Sequence, residues 1–182
     1  MDPAMSARLT IGINLGEYAS SILAQVKWFG EFDLAEGNER DEKVHIGVEP
    51  FLLAFAMELA LKAWFVFDHD NPKPPRTHNL VKLFERLELD SQVRLERAFE
   101  GSVASFHPVN FLGPVGMKGF LEQHANAFVE WRYPHERKRS MQFQISAFVA
   151  TLEMVLSEFR TRYHIQEVWP PLSAVRLPPE SG

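Results

Sequence analysis

The chain has 182 residues, 46% of them apolar and 24% charged, with 12 prolines, 10 glycines and no cysteine. That length suits one domain of ordinary size with a buried core, and the composition excludes a disordered chain, a collagen and a disulfide-stapled module. The net charge of −5 is concentrated: residues 31–49 hold seven acids and two bases, leaving 17 of each elsewhere, so the total excludes little about anionic partners.

The first residues show no apolar run behind a basic start, so no secretory leader is expected. Leu15, Tyr18, Ala19, Ile22, Leu23, Val26 and Phe29 recur at helical spacing and predict a first helix over about 15–30. The acidic stretch 31–47, with Gly37-Asn38 inside it, reads as an exposed loop. Val48 to Phe67 is apolar on nearly every side and almost long enough to span a bilayer. Glu58 and Lys62 lie near its middle, however, where a base alone costs roughly 2.5–3.5 kcal/mol. A helix of this kind is expected to be the central core helix of a cytoplasmic protein without membrane contact. Pro50 sits in its first turn, where a missing N–H does no harm, and Asn71-Pro-Lys-Pro-Pro75 ends it near Asp68.

Thr77 or Asn79 can cap a short third helix carrying Leu80, Leu83, Phe84 and Leu87, and Asp90 or Ser91 a fourth with Val93, Leu95 and Phe99. Glycines and prolines between 101 and 119 predict a long irregular connection. A fifth helix carries Met117, Phe120, Leu121, His124, Phe128 and Trp131 on one stripe and stops at Pro134. The sixth runs from Met141 through Ile145, Phe148, Val149, Leu152, Val155, Leu156 and Phe159 to Tyr163. No alternating strand is evident. The expected fold is all-α, an antiparallel bundle of five to six helices with the second buried at its centre, forming one domain over 1–168 before a Pro-rich tail at 169–182.

Three features carry chemistry. Glu58 and Lys62, at i,i+4, are placed to pair on one helix face, either as a structural ion pair or as the floor of a site where other polar groups converge. His78 lies at the start of the third helix, where backbone N–H groups attract anions, or serves there as an ordinary polar residue. Arg132, Arg137, Lys138 and Arg139, interleaved with Trp131, Tyr133 and His135, form a basic patch suited to phosphate and base stacking, or a solvated turn. Gly113-Pro-Val-Gly-Met-Lys-Gly119 lacks Walker spacing and reads as an interhelix turn. A metal site would have to draw on Glu58, His78, His124, His135 and Glu136, but no Glu-x-x-His repeat supports one; His124 reads as a hydrogen-bonded core histidine. Neither metal nor cofactor is expected.

Glu58-Leu-Ala-Leu-Lys62, then His78-Asn-Leu-Val-Lys-Leu83, then Trp131-Arg-Tyr-Pro-His-Glu136 together resemble the HEPN superfamily of small helical bundles, over roughly residues 45–160. The resemblance implies an up-and-down helical domain, often dimeric, from toxin–antitoxin, phage-defence or RNA-processing systems. Many members are metal-independent RNases with an Arg-x4–6-His pair near the last core helices; others bind partners without cleaving. Here Arg132 and His135 stand too close for that spacing, as do Arg160 and His164. Arg40 and His45 have it, but they lie in the acidic loop and at a spacing this composition produces by chance. No catalytic pair is therefore assigned. The expectation is a homodimer that binds RNA, a nucleotide or a partner protein through Glu58, Lys62, His78, Arg132, Tyr133 and Glu136, with Arg132 gripping phosphate or carboxylate. The alternatives are a divergent RNase using Arg132 with His135, and a structural interaction module in which Glu58 and Lys62 only fix helix register.

Overall fold

The computed structural model describes residues 3–35, 48–104, 116–132 and 143–165, with side chains in the first segment at 9–28. Seven helices occur among them and no strand: α1 (Pro3–Ala35), α2 (Val48–Asp68), α3 (Leu80–Phe84), α4 (Leu89–Ser102), α5 (Met117–Gln123), α6 (Ala127–Arg132) and α7 (Ile145–Tyr163). The all-α bundle is as expected, and α2 is its centre. Leu53, Ala54, Ala56, Met57, Ala60, Leu61, Ala63, Trp64 and Val66 are all buried, so most of the circumference of this helix faces protein, and Leu52, Phe55, Leu59 and Lys62 form a partly covered stripe. Helix α2 alone among the described helices is long and apolar enough to cross a membrane, and 61% of its most apolar window is covered by the rest of the chain.

Contacts fix the directions of the long helices. Gly12 of α1 meets Phe67 of α2, and Gly16 meets Ala63, so the two run antiparallel. Lys27 pairs with Glu153 at 2.7 Å and Arg160 donates to Ser20 at 2.8 Å, which sets α1 antiparallel to α7 as well. Arg94 of α4 pairs with Glu158 of α7 at 2.5 Å. The long helices thus alternate in direction along the chain, while α2 and α7 lie side by side and parallel. Trp64 joins that pair, donating Nε1–H to the Val155 carbonyl at 3.2 Å while its ring packs on Phe159 and Tyr163.

Helix α1 is longer than its large-residue stripe suggests. Its approach to α2 is made by Gly12 and Gly16, which contribute no apolar signal but let the backbones close together. Residues 31–35, expected in the acidic loop, continue this helix because nothing before Gly37 breaks it; residues 36–47, the rest of that loop, lie outside the described residues.

Two further differences have clear causes. The expected fifth helix is two, α5 and α6, separated by a turn at His124–Asn126. There the Ala125 carbonyl accepts Leu80 N–H at 2.9 Å and the Asn126 side chain accepts from Asn79, so the turn is drawn to the start of α3. Helix α4 begins at Leu89 without a side-chain cap of its own. Ser91, expected to cap it, instead donates to Asp68 at 2.6 Å, and the same carboxylate takes Glu88 N–H at 2.9 Å. Tyr163 also donates to Asp68, at 2.6 Å, so one side chain at the end of α2 ties down α4 and α7. Burial first and this hydrogen bond second push the Tyr163 hydroxyl well above its usual range.

Helix α5 is held in a similar way from α4. Glu96 accepts Met117 N–H at 2.7 Å and Lys118 N–H at 3.0 Å. Gly116, at φ 124°, stands where a Cβ would lie 2.9 Å from the Glu96 carboxylate, so both backbone and space demand glycine. Asn79 caps α3 as anticipated, accepting Lys82 N–H at 2.9 Å. His124 is the buried core histidine expected, donating Nδ1–H to the Phe120 carbonyl at 3.0 Å among the rings of Phe120, Phe143 and Phe148.

Two predictions follow from this packing. A Cβ at position 12 would lie 2.6 Å from the Phe67 ring, so Gly12→Ala should destabilise the fold by about 1–3 kcal/mol in chemical denaturation, despite alanine's better helix propensity. Burial, opposed by the Phe120 carbonyl, lowers the His124 pKa below its ordinary value of 6.5. The unfolded chain therefore takes up this proton first, and the contribution is fully present above pH 6.5 and lost as pH falls below it toward the folded value. The stability difference between wild type and His124→Asn, whose amide keeps a donor for Phe120, should shrink over that range.

Candidate functional site

The described polar groups converge most closely around Glu58. Its position follows from the sequence of α2: beside the buried Ala54, Met57 and Leu61, a carboxylate at residue 58 is carried inside, and it is only 2% exposed. Such a charge is tolerated only if both oxygens are partnered. Lys62, one turn on, donates to Oε1 at 2.6 Å. Its ammonium is also largely withdrawn from solvent, so this i,i+4 pair is an internal one.

The second oxygen reaches across the chain. His78, in the strap between α2 and α3, places Nδ1 at 2.9 Å from Glu58 Oε2. The carboxylate, already ion-paired with Lys62, can only accept, so Nδ1 carries the hydrogen, and the lone pair of the neutral form of the ring falls on Nε2. The His78 side chain is 56% exposed while that of Glu58 is 3% exposed, so a buried acid orients a surface imidazole. Phe128 of α6 stacks on the imidazole at 4.8 Å and on Phe51 at 5.0 Å, with Phe55 at 5.4 Å. The ring plane of His78 is therefore fixed by packing as well as by hydrogen bonding.

Three of the six expected site residues, Glu58, Lys62 and His78, meet directly. Arg132 is the exposed last residue of α6, one helical turn beyond the Phe128 that covers His78. Tyr133 and Glu136 lie outside the described residues, as do His135 and the basic run Arg137, Lys138 and Arg139, together with Arg40 and His45. The anion reading of the α3 start changes in one respect. Leu80 N–H is taken by Ala125 and Lys82 N–H by Asn79, so these two amides are not available to an anion. Among the described residues, no group of three or more His, Cys, Asp or Glu side chains is arranged to hold a metal ion.

The strap carries a further signal that local motifs do not show. Between Asn71 and Phe84 the chain carries Lys73, Arg76 and Lys82 and no acid, so the strap that presents His78 is locally basic although the whole chain is acidic. Lys73, Arg76 and Lys82 are all exposed. The Phe51–Phe128–His78 stack was not legible, since it joins residues from three separate elements.

Comparison of the chain with protein-family models, with curated proteins and with solved structures finds no match.

The Glu58 arrangement has a direct energetic consequence. Lys62→Met removes the counter-charge of a buried carboxylate and should cost about 3–5 kcal/mol in urea denaturation. Replacing Glu58 and Lys62 together by methionine should recover most of that loss, because the pair and an apolar substitute of similar volume are close in stability.

Proposed function

We propose that this chain is a HEPN-like helical protein that binds RNA, a nucleotide or a partner protein, as a homodimer and by holding rather than cleaving its ligand. The observation that carries the reading is the meeting of Lys62, Glu58 and His78 beneath Phe128, on the helix that ends in Arg132. The basic strap favours the phosphate-bearing ligands of that set: His78 offers an oriented ring edge, and Lys73, Arg76, Lys82 and Arg132 supply exposed charge. Glu58 and Lys62 neutralise one another, so their part is to position the imidazole.

Fluorescence anisotropy with a labelled single-stranded RNA, and separately with a labelled nucleotide, tests this. Affinity should fall as salt rises, since phosphate contacts release counterions, with a logarithmic slope of about −0.7 per contact for a single strand. Arg132→Ala should weaken binding while leaving the thermal midpoint within about 2 °C, as its side chain is exposed. His78→Ala should weaken binding and also lower the midpoint, because it strips a buried Glu58 oxygen of its partner. Absence of salt-sensitive binding to either probe overturns the phosphate reading. Metal-independent RNA cleavage abolished by both Arg132→Ala and His135→Ala would instead select the enzyme alternative.

A further inference from the structure

The structure assigns to His78 a second capacity, that of a nucleophile: we propose that its Nε2 accepts a phosphoryl group from an acyl phosphate. This rests on the reading that the His78 face receives phosphate-bearing ligands, and it names one class of them. Among the described residues, no group hydrogen-bonds to Nε2, while Nδ1 is held at 2.9 Å by a carboxylate that is itself locked by Lys62. A carboxylate on one ring nitrogen fixes the tautomer and the orientation of the ring. The stacked Phe128 covers a ring face and leaves the in-plane Nε2 edge, on a side chain 56% exposed, as the point of attack.

The other described histidines lack this arrangement. His69 Nε2 faces the Arg86 carbonyl at 2.7 Å and so bears the hydrogen, which leaves Nδ1 as its lone-pair nitrogen. His124 is buried, with Nδ1–H on the Phe120 carbonyl. His164 is exposed, and the structure shows no carboxylate among the described residues to orient it.

The step balances without a redox partner. The Nε2 lone pair attacks phosphorus, the N–P bond forms, and the P–O bond to the acyl group breaks, its electron pair leaving on a carboxylate. The imidazolium produced keeps its Nδ1 proton, and its positive charge lies against Glu58. Lys62, the ammonium of the cluster, is already engaged by Glu58 and is not available to protonate the leaving group. A donor whose leaving group departs unprotonated meets that limit, and the carboxylate of an acyl phosphate does so.

The test uses the full-length protein and acetyl phosphate, with sites and regiochemistry read by mass spectrometry and 31P NMR. The expected product is phosphohistidine at Nε2 of His78, formed roughly tenfold faster than at His164, with Glu58→Gln lowering the rate at His78 by a similar factor. His78→Gln removes the label from this position. Two-bond 1H–15N spectra of the unmodified wild type give a readout independent of whether the Glu58 variant folds, and should show protonated Nδ1 and bare Nε2 at His78. Label spread equally over His78 and His164, attachment at Nδ1, or the opposite tautomer overturns the inference. If that happens while salt-sensitive ligand binding persists, only the nucleophile assignment falls; loss of both removes the underlying reading as well.

Discussion

A carboxylate inside the most apolar helix of the chain constrains much of what surrounds it. Glu58 cannot be left unpartnered among alanines and leucines, and α2 itself supplies only one donor, Lys62. The other oxygen requires a group from elsewhere, and His78 meets that need by bringing the 69–79 strap across the helix. Once the strap is there, Asn79 caps α3, Leu80 and Asn79 capture the turn at Ala125 and Asn126, and Phe128 falls onto the imidazole. The placement of three short helices, none long enough to be stable alone, is thus coupled to one buried charge.

The far end of α2 treats its own acid differently. Asp68 is satisfied by a tyrosine hydroxyl, a serine hydroxyl and a backbone N–H, all neutral donors, whereas Glu58 is satisfied by an ammonium and an imidazole. Neutral donors fixed in a packed junction have little chemistry left to offer, and Tyr163 is held there with its proton. A histidine partner at the surface keeps a second nitrogen available. Two acids ten residues apart on one helix therefore serve separate ends: Asp68 joins helices, and Glu58 presents a side chain.

What the sequence made legible was local. The burial of α2, the Glu58–Lys62 pair, the Asn79 cap and the core role of His124 all rest on neighbours within a turn or two. What escaped it depends on distant partners. Ser91 satisfies every local rule for a cap, yet its hydroxyl is taken by an acid 23 residues earlier. The break between α5 and α6 is imposed by the start of α3, 45 residues away at Leu80 and Ala125, and Glu96 holds a helix start 21 residues later. Helix α1 extends beyond its large apolar stripe because glycines make its closest contacts, and periodicity of large side chains does not register them. The site was legible as a convergence of polar groups around Glu58, but not as a carboxylate orienting one particular ring nitrogen.

The order in which α2 acquires its cover matters during synthesis. Helix α1 precedes it, so the Gly12 and Gly16 face is available as soon as α2 is made. The Val155 carbonyl that accepts Trp64 follows 91 residues later, with Phe159 and Tyr163 later still. At about 5–20 residues per second, one flank of a strongly apolar helix waits some 5–20 s for its covering partner. Glu58 and Lys62 lie in the middle of that segment, where a charged pair interrupts the run through which nascent chains associate. The residues that demand a partner in the folded protein are also the ones that keep the unfinished chain from finding the wrong one.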